Sequence, residues 1–175
     1  MTMTPQVRKL ALTAHVATSV GWLGAVVVFV ALAVIGLTSG NGHMLRGAYR
    51  VMEPVAWFVL MPLACLSLVT GIVQSLGTTW GLFRHYWVLF KLLITAGSTI
   101  VLLVYMQTLS LVADVAADRT ANLDQVRNAS PLLHATGAVV LLLTATTLSV
   151  YKPRGMTRYG HRQPPSRGDL SQPAR

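Results

Sequence analysis

The chain has 175 residues, of which 53% are hydrophobic and only 11% are charged. Soluble domains carry about 25% charged residues, so this composition excludes an ordinary water-soluble domain and favours a single membrane-embedded one. The net charge of +9 does not indicate nucleic-acid binding, because six of the fourteen Lys and Arg residues lie between Lys152 and the end of the chain, an arrangement typical of a tail beside anionic lipid.

Four apolar runs are long enough to cross a bilayer, which takes about 20 helical residues. They cover residues 10–37, 54–76, 87–109 and 132–151. Helix is the only structure expected for them, since a lone strand would leave its backbone groups unpaired in hydrocarbon. We therefore predict an all-α integral membrane four-helix bundle over residues 1–151, followed by a basic, disordered tail over residues 152–175.

The connections between these spans contain turn-forming and polar residues. Residues 38–53 are predicted to form a loop, because they include the run Ser-Gly-Asn-Gly and end beside Pro54, which suits the first turn of a helix. The polar segment 110–130 can extend the third helix in its first half. Cys65 is the single cysteine, which excludes an intramolecular disulfide, and we expect it to be a small buried residue.

The distribution of Lys and Arg predicts the orientation. With the N-terminus inside, ten of these residues fall on the inner side and four on the outer side. Both termini are therefore predicted to be cytoplasmic. The basic tail is expected to bind anionic lipid headgroups, and its first four basic residues are Lys152, Arg154, Arg158 and Arg162.

Ionisable residues at membrane depth are candidates for function, because they are costly to place there. His15, Gln74, His85 and Lys91 share the predicted inner half. An imidazole can bind haem iron or another metal ion, and a lysine can pair with a carboxylate or polarise a substrate. The alternatives are that Lys91 extends its amine into the headgroups, that His15 only hydrogen-bonds a Thr or a carbonyl, and that His85 is an interfacial loop residue.

A second polar group falls in the predicted outer half and comprises Glu53, Gln107 and His134. Glu53 can pair there with His134 or with Arg50, either at a functional site or as a structural ion pair that closes this end of the bundle. Several Met residues raise the alternative of copper binding, although they form no tight M-x-x-M pattern and suit ordinary packing.

Two short motifs resemble known membrane families. Residues 15–24, HVATSVGWLG, have the form H-x6-W-x-G on the first span, and residues 87–92, WVLFKL, have the form W-x3-K-L at the start of the third. The pairing resembles a family of predicted bacterial integral membrane proteins with actinobacterial relatives. More distantly, it resembles the copper-resistance D domain and the membrane-bound, oxygen-independent type of protoporphyrinogen oxidase. The resemblance implies a bacterial plasma-membrane location. It also matches His15 and Lys91 to the haem site of the oxidase type, and Trp22 to a helix-packing residue.

The sequence thus supports three functions and does not decide whether the chain is an enzyme. The first is a haem-binding or redox-associated membrane protein, with His15 as axial ligand of haem b and Lys91 beside a propionate. The second is a non-catalytic membrane subunit, scaffold or homo-oligomer whose tail binds lipid or a partner. The third is a carrier for copper or a small solute. The sequence contains no phosphate-binding Gly loop, G-x-S-x-G or H-E-x-x-H motif.

Overall fold

The structure is a computed structural model that describes residues 3–77, 82–153, 155 and 157. The predicted tail residues Arg154, Arg158 and Arg162 lie outside these residues. Within the described part the chain is helical and has no β-strand. The helices are α1 (Pro5–Thr38), α2 (Gly42–Val55), α3 (Met61–Leu76), α4 (Tyr86–Ala117), α5 (Leu123–Val126) and α6 (Ser130–Tyr151).

Four helical rods are long and apolar enough to cross a membrane. They are Pro5–Thr38, Gly42–Leu76, Tyr86–Ala117 and Leu123–Tyr151. The prediction of an all-α fold with four membrane-length helices is therefore confirmed. Each rod exceeds the roughly 20 residues that a bilayer requires, so the fold is compatible with a multi-pass membrane protein.

The predicted loop over residues 38–53 is wrong, because most of it is helix α2. Asn41 caps this helix: its side-chain oxygen accepts hydrogen bonds from the backbone N–H groups of His43 and Met44 at 2.9 and 3.3 Å. α2 buries one apolar stripe at helical spacing against α1 and α4. The stripe consists of Leu45, Ala48, Tyr49 and Met52.

α2 and α3 form one rod because a π-helical turn, Ala56–Leu60, joins them. Pro54 lies just before it and has no N–H to offer to the helical ladder. At the end of the turn the N–H of Met61 donates to the carbonyl of Ala56, five residues back. The second span therefore begins at Gly42 rather than at residue 54.

The boundaries of the other helices differ less from the predicted ones. α1 begins at Pro5 rather than residue 10, α4 continues past residue 109 to Ala117, as expected for the first half of segment 110–130, and α6 ends at Tyr151 as predicted. Cys65 is exposed rather than buried, because it lies on the side of α3 that faces away from the bundle.

The four rods pack in a ring. α1 contacts α2, α3 and α6, while α4 contacts α2, α3 and α6, so α1 and α4 face each other across the bundle. The central layer is apolar and includes Trp22, Phe29, Leu60, Tyr105 and Leu142. We call the end at which α1 begins and α6 ends the terminal end, and the end at which α1 passes into α2 the loop end.

The loop end is closed by arginines that bind backbone carbonyls. Arg46 of α2 donates to the carbonyl oxygens of Ala116 and Asp118 at 3.4 and 2.6 Å. Arg127 donates to the carbonyl oxygens of Leu37 and Ser39 at 2.6 and 2.9 Å. These bonds satisfy carbonyls that the ends of α1 and α4 leave without intrahelical partners.

Candidate functional site

His15 and Lys91 meet inside the bundle near the terminal end. His15 lies on α1 and is 8% exposed, and Nζ of Lys91 on α4 lies 3.0 Å from its Nε2 atom. The two helices face each other across the bundle, so this hydrogen bond spans its interior. The side chains that the sequence places in one half of the membrane are therefore in direct contact.

The surrounding hydrogen bonds indicate which imidazole nitrogen carries the proton. With Lys91 as an ammonium, which has only donors, Nε2 of His15 accepts and is unprotonated. Nδ1–H then donates to Oγ1 of Thr70 at 3.2 Å, and the Thr70 hydroxyl donates to the carbonyl of Leu66 at 2.6 Å. This tautomer leaves the lone pair of Nε2 toward α4, which is the arrangement that a metal-binding imidazole requires.

Small and hydroxylated residues of α3 let the imidazole lie close to that helix. A Cβ atom on Gly71 would lie 3.1 Å from Cε1 of His15, so the glycine leaves the space that the ring occupies. Beside it, the hydroxyls of Ser19 and Ser67 are 2.8 Å apart and join α1 to α3. The position of His15 is thus set by packing as well as by hydrogen bonds.

The pair lines a cavity of about 720 Å³ at the terminal end, which we call the terminal cavity. Its volume falls within the roughly 300–1,000 Å³ of typical ligand sites. Three basic side chains line it, those of Arg8, Lys91 and Lys152, and none of the described lining residues is Asp or Glu. The cavity therefore favours a ligand that carries negative charge.

Of the other inner residues predicted from the sequence, the structure places some at the terminal cavity and one away from it. Trp22 and Gln74 line the terminal cavity, and Lys152 lines it from the end of α6, where φ is 42°. His85 does not line it: this residue precedes the first turn of α4, and its ring centroid is 6.5 Å from that of Trp87.

The predicted outer residues have separate partners. Glu53 accepts a hydrogen bond from the hydroxyl of Ser110 at 2.6 Å. His134 stacks on Tyr105 with ring centroids 4.0 Å apart, and its Nδ1 lies 2.9 Å from the carbonyl of Ser130. Gln107 and Arg50 are exposed. The structure thus does not bring Glu53 and His134 together in one site.

Several residues of the terminal cavity were missed by the sequence reasoning. Arg8, Ser67 and Gly71 line the cavity, and Thr70 bonds to His15 beside it. Ser67, Thr70 and Gly71 form, with Gln74, a polar and small stripe at helical spacing within an apolar span, and that stripe is a readable signal for a helix face turned toward the interior.

Among the described residues, no group of three or more His, Cys, Asp and Glu side chains could hold a metal ion. Comparison with known proteins adds no relative, because no family model, no curated protein and no solved structure was found to match this chain.

Proposed function

We propose that this chain is a haem-binding, redox-associated multi-pass protein of the bacterial plasma membrane, with both termini in the cytoplasm. The imidazole of His15 would hold haem b, and Lys91 would pair with one of its carboxylates. One observation carries the proposal: the imidazole of His15, with Nε2 3.0 Å from the amine of Lys91, lines a cavity that three basic residues and no described acidic residue line. The excess of Lys and Arg on the terminal side supports the orientation.

The side chains of the terminal cavity fit haem in two respects. The bond from Nδ1 of His15 to Thr70 holds the ring in place, as the partner of the second nitrogen does for most metal-bound histidines. Apolar residues such as Leu12, Val16 and Leu92 line the walls and suit a macrocycle. When bound, haem supplies the redox chemistry.

Lys91 has a different role in the loaded state. Its amine lies 3.0 Å from Nε2 of His15, so it would have to move away for Nε2 to hold a metal ion. The flexible four-carbon stem allows this movement. A propionate carboxylate is a stronger partner for an ammonium than a neutral imidazole is, because both of its groups are charged. This arrangement agrees with the resemblance of the two motifs to the protoporphyrinogen oxidase type.

The test is an absorbance spectrum of the full chain purified in mild detergent from haem-supplied cells. We expect a Soret band and one haem per chain. His15→Ala should abolish the band, whereas His43→Ala is a matched control on the exposed face of α2 and should preserve it. A preparation that stays colourless after addition of haem, or a band unchanged in His15→Ala, overturns the proposal.

The same three basic residues favour a second function. Arg8, Lys91 and Lys152 can hold an anionic lipid headgroup, which suits a non-catalytic membrane subunit anchored through its basic end. In that case, co-purified anionic phospholipid replaces haem. Arg8→Gln should then reduce the bound lipid, while the His15→Ala variant should retain it.

A further inference from the structure

Among the described residues, neighbouring rods are connected at the terminal end except where α1 meets α6. α3 and α4 are consecutive in the chain, and α1 is joined to α3 by the hydroxyls of Ser19 and Ser67, which are 2.8 Å apart. After α6 the chain crosses to the start of α4, where Thr157 donates its N–H to the carbonyl of Arg84 at 3.0 Å and its hydroxyl to the carbonyl of Phe83 at 2.5 Å. No hydrogen bond joins α1 to α6, two helices that the structure describes in full.

The exposed side chains that line the terminal cavity lie on the two sides of this junction. On α1 they recur every four residues from Arg8 to Val20, and at the end of α6 they are Thr146, Val150 and Lys152. The described lining residues of α3 and α4 are instead buried or half-buried. The cavity therefore opens sideways between α1 and α6, and we call this opening the lateral gap.

The lateral gap changes from basic to apolar along its length. Its terminal end has Arg8 on one edge and Lys152 on the other. The α1 edge continues with Leu12, Val16 and Val20, and about 18 Å of helix separates Arg8 from Val20. An anionic amphiphile dissolved in the adjacent leaflet has its groups in the same order, because its charged end lies at the headgroups and its apolar body lies deeper.

Inside the cavity, the ammonium of Lys91 has no counter-charge among the described residues. Its contact at 3.0 Å is Nε2 of His15, an acceptor without charge. The acidic residues that the structure describes all lie at the loop end, and they are Glu53, Asp114, Asp118 and Asp124. Cations inside a membrane bundle are usually paired, and neither a neutral acyl chain nor an apolar helix against the gap would supply an anion. A ligand that fits the cavity therefore carries negative charge itself.

We propose that the terminal cavity is filled from the membrane, through the lateral gap, by one compact or single-chain amphiphile that ends in a carboxylate. The carboxylate lies among Arg8, Lys91 and Lys152, and the apolar body points toward Trp22. A cavity of about 720 Å³ has the size of a site for one small ligand, so we expect one chain rather than the two of a phospholipid. Haem is itself a compact amphiphile with carboxylates, so this proposal rests on the proposed function.

The experiment records the electron paramagnetic resonance spectrum of spin-labelled stearic acid in phosphatidylcholine vesicles that contain the full chain. We expect a motionally restricted component that saturates at one label per chain. Lys91→Gln should weaken the affinity about tenfold, as expected for the loss of one charge-assisted hydrogen bond. Val16→Trp and Val150→Trp obstruct the two edges of the lateral gap, and each should remove the saturable component. Val28→Trp is the matched control, because Val28 is exposed on α1 and does not line the cavity.

Three competitors identify the ligand class. Methyl stearate has no charge, citrate has no apolar body and phosphatidylglycerol has two chains, so an excess of any one should not displace the label. Displacement by one of them, a component that never saturates, or unchanged binding in Lys91→Gln or in either gap variant overturns the proposal.

The absorbance spectrum separates this proposal from that of haem binding. A wild-type chain that binds the label but shows no Soret band overturns haem binding and supports the amphiphile site. Haem uptake that is unchanged in Val16→Trp and Val150→Trp overturns entry through the lateral gap and leaves haem binding intact.

Discussion

At the scale of single residues, glycines decide how closely the helices approach. Gly36 of α1 is buried beneath Tyr49 of α2, and a Cβ atom there would lie 2.8 Å from Cζ of the ring. Tyr49 has little freedom to move, because its hydroxyl accepts from the N–H of Asn128 and donates to the carbonyl of the same residue, both at 2.9 Å. Contact between α1 and α2 thus depends on the absence of a side chain at Gly36.

We expect Gly36→Ala to lower the free energy of unfolding by about 1–3 kcal/mol, as overpacking does in a well-filled core. The measurement is an SDS titration of the protein in detergent micelles. Gly24→Ala is the control on the same helix, since its Cβ meets nothing within 4 Å, and it should not destabilise. Equal effects of the two substitutions would contradict the close packing of Tyr49.

Asp118 makes the stability of the loop end depend on pH. Its carboxylate accepts from the hydroxyl and the N–H of Thr120 at 2.7 and 2.8 Å. The hydroxyl bond, followed by the backbone bond, holds the pKa of Asp118 below its usual value. A lowered folded-state pKa contributes stability that is present above the pKa of the unfolded chain and is lost as pH falls through the folded one.

The stability that Asp118 contributes at the loop end should therefore fall below about pH 4, where an unperturbed Asp becomes protonated. In Asp118→Asn this loss should be smaller than in the wild type, and Thr120→Ala should reduce it in part, because the backbone bond remains. Thermal unfolding in detergent across this pH range measures the effect. An identical acid profile for the wild type and Asp118→Asn would exclude this contribution.

The residue scale also shows what the sequence can predict about the site. The predicted topology placed His15 and Lys91 in the same half of the membrane, but depth does not determine which way a side chain points. Their contact depends on the rotation of α1 and α4 about their axes, which the packing of Trp22 and its neighbours sets. Gly71 gave no signal by itself, because its role is to leave space for a ring on another helix.

At the scale of elements, the stability of α2 depends on the residue that caps its start. The Asn41 side chain satisfies two backbone N–H groups that the helix start would otherwise leave unpaired. We expect Asn41→Ala to reduce the free energy of unfolding by about 1 kcal/mol. Asn41→Asp keeps the acceptor oxygen and should retain the wild-type value in the same SDS titration. A loss of equal size in both variants would contradict the capping role.

The sequence predicts the number of spans correctly, but it does not predict where the second span begins. Long apolar runs identify helices because the bilayer demands length and internal hydrogen bonding. The segment before Pro54 is polar on one face and begins with turn residues, so its average hydropathy resembles that of a loop. The spacing of Leu45, Tyr49 and Met52 carries the helical signal, which a periodicity search would detect and a hydropathy average hides.

At the scale of the whole molecule, we expect the orientation to follow the basic residues. In a Cys65→Ala background, Gly40→Cys at the loop end should react with a membrane-impermeant maleimide in intact cells. Thr4→Cys at the terminal end should react only after permeabilisation. Both positions are exposed in the structure, so accessibility depends on the side of the membrane. The reverse pattern would place the termini outside.

The π-helical turn at Ala56–Leu60 has a consequence for how this chain can vary. An α-helix advances about 100° per residue, so the extra residue of a π turn rotates everything after it by about that angle relative to an unbroken helix. α2 is thereby aligned with α4 and the loop end, while α3 turns Thr70 and Gly71 toward His15. If one residue were deleted here, either α2 would lose its alignment with α4 or α3 would lose its alignment with His15. The number of residues in this turn is therefore constrained even at positions where the side chain itself can vary.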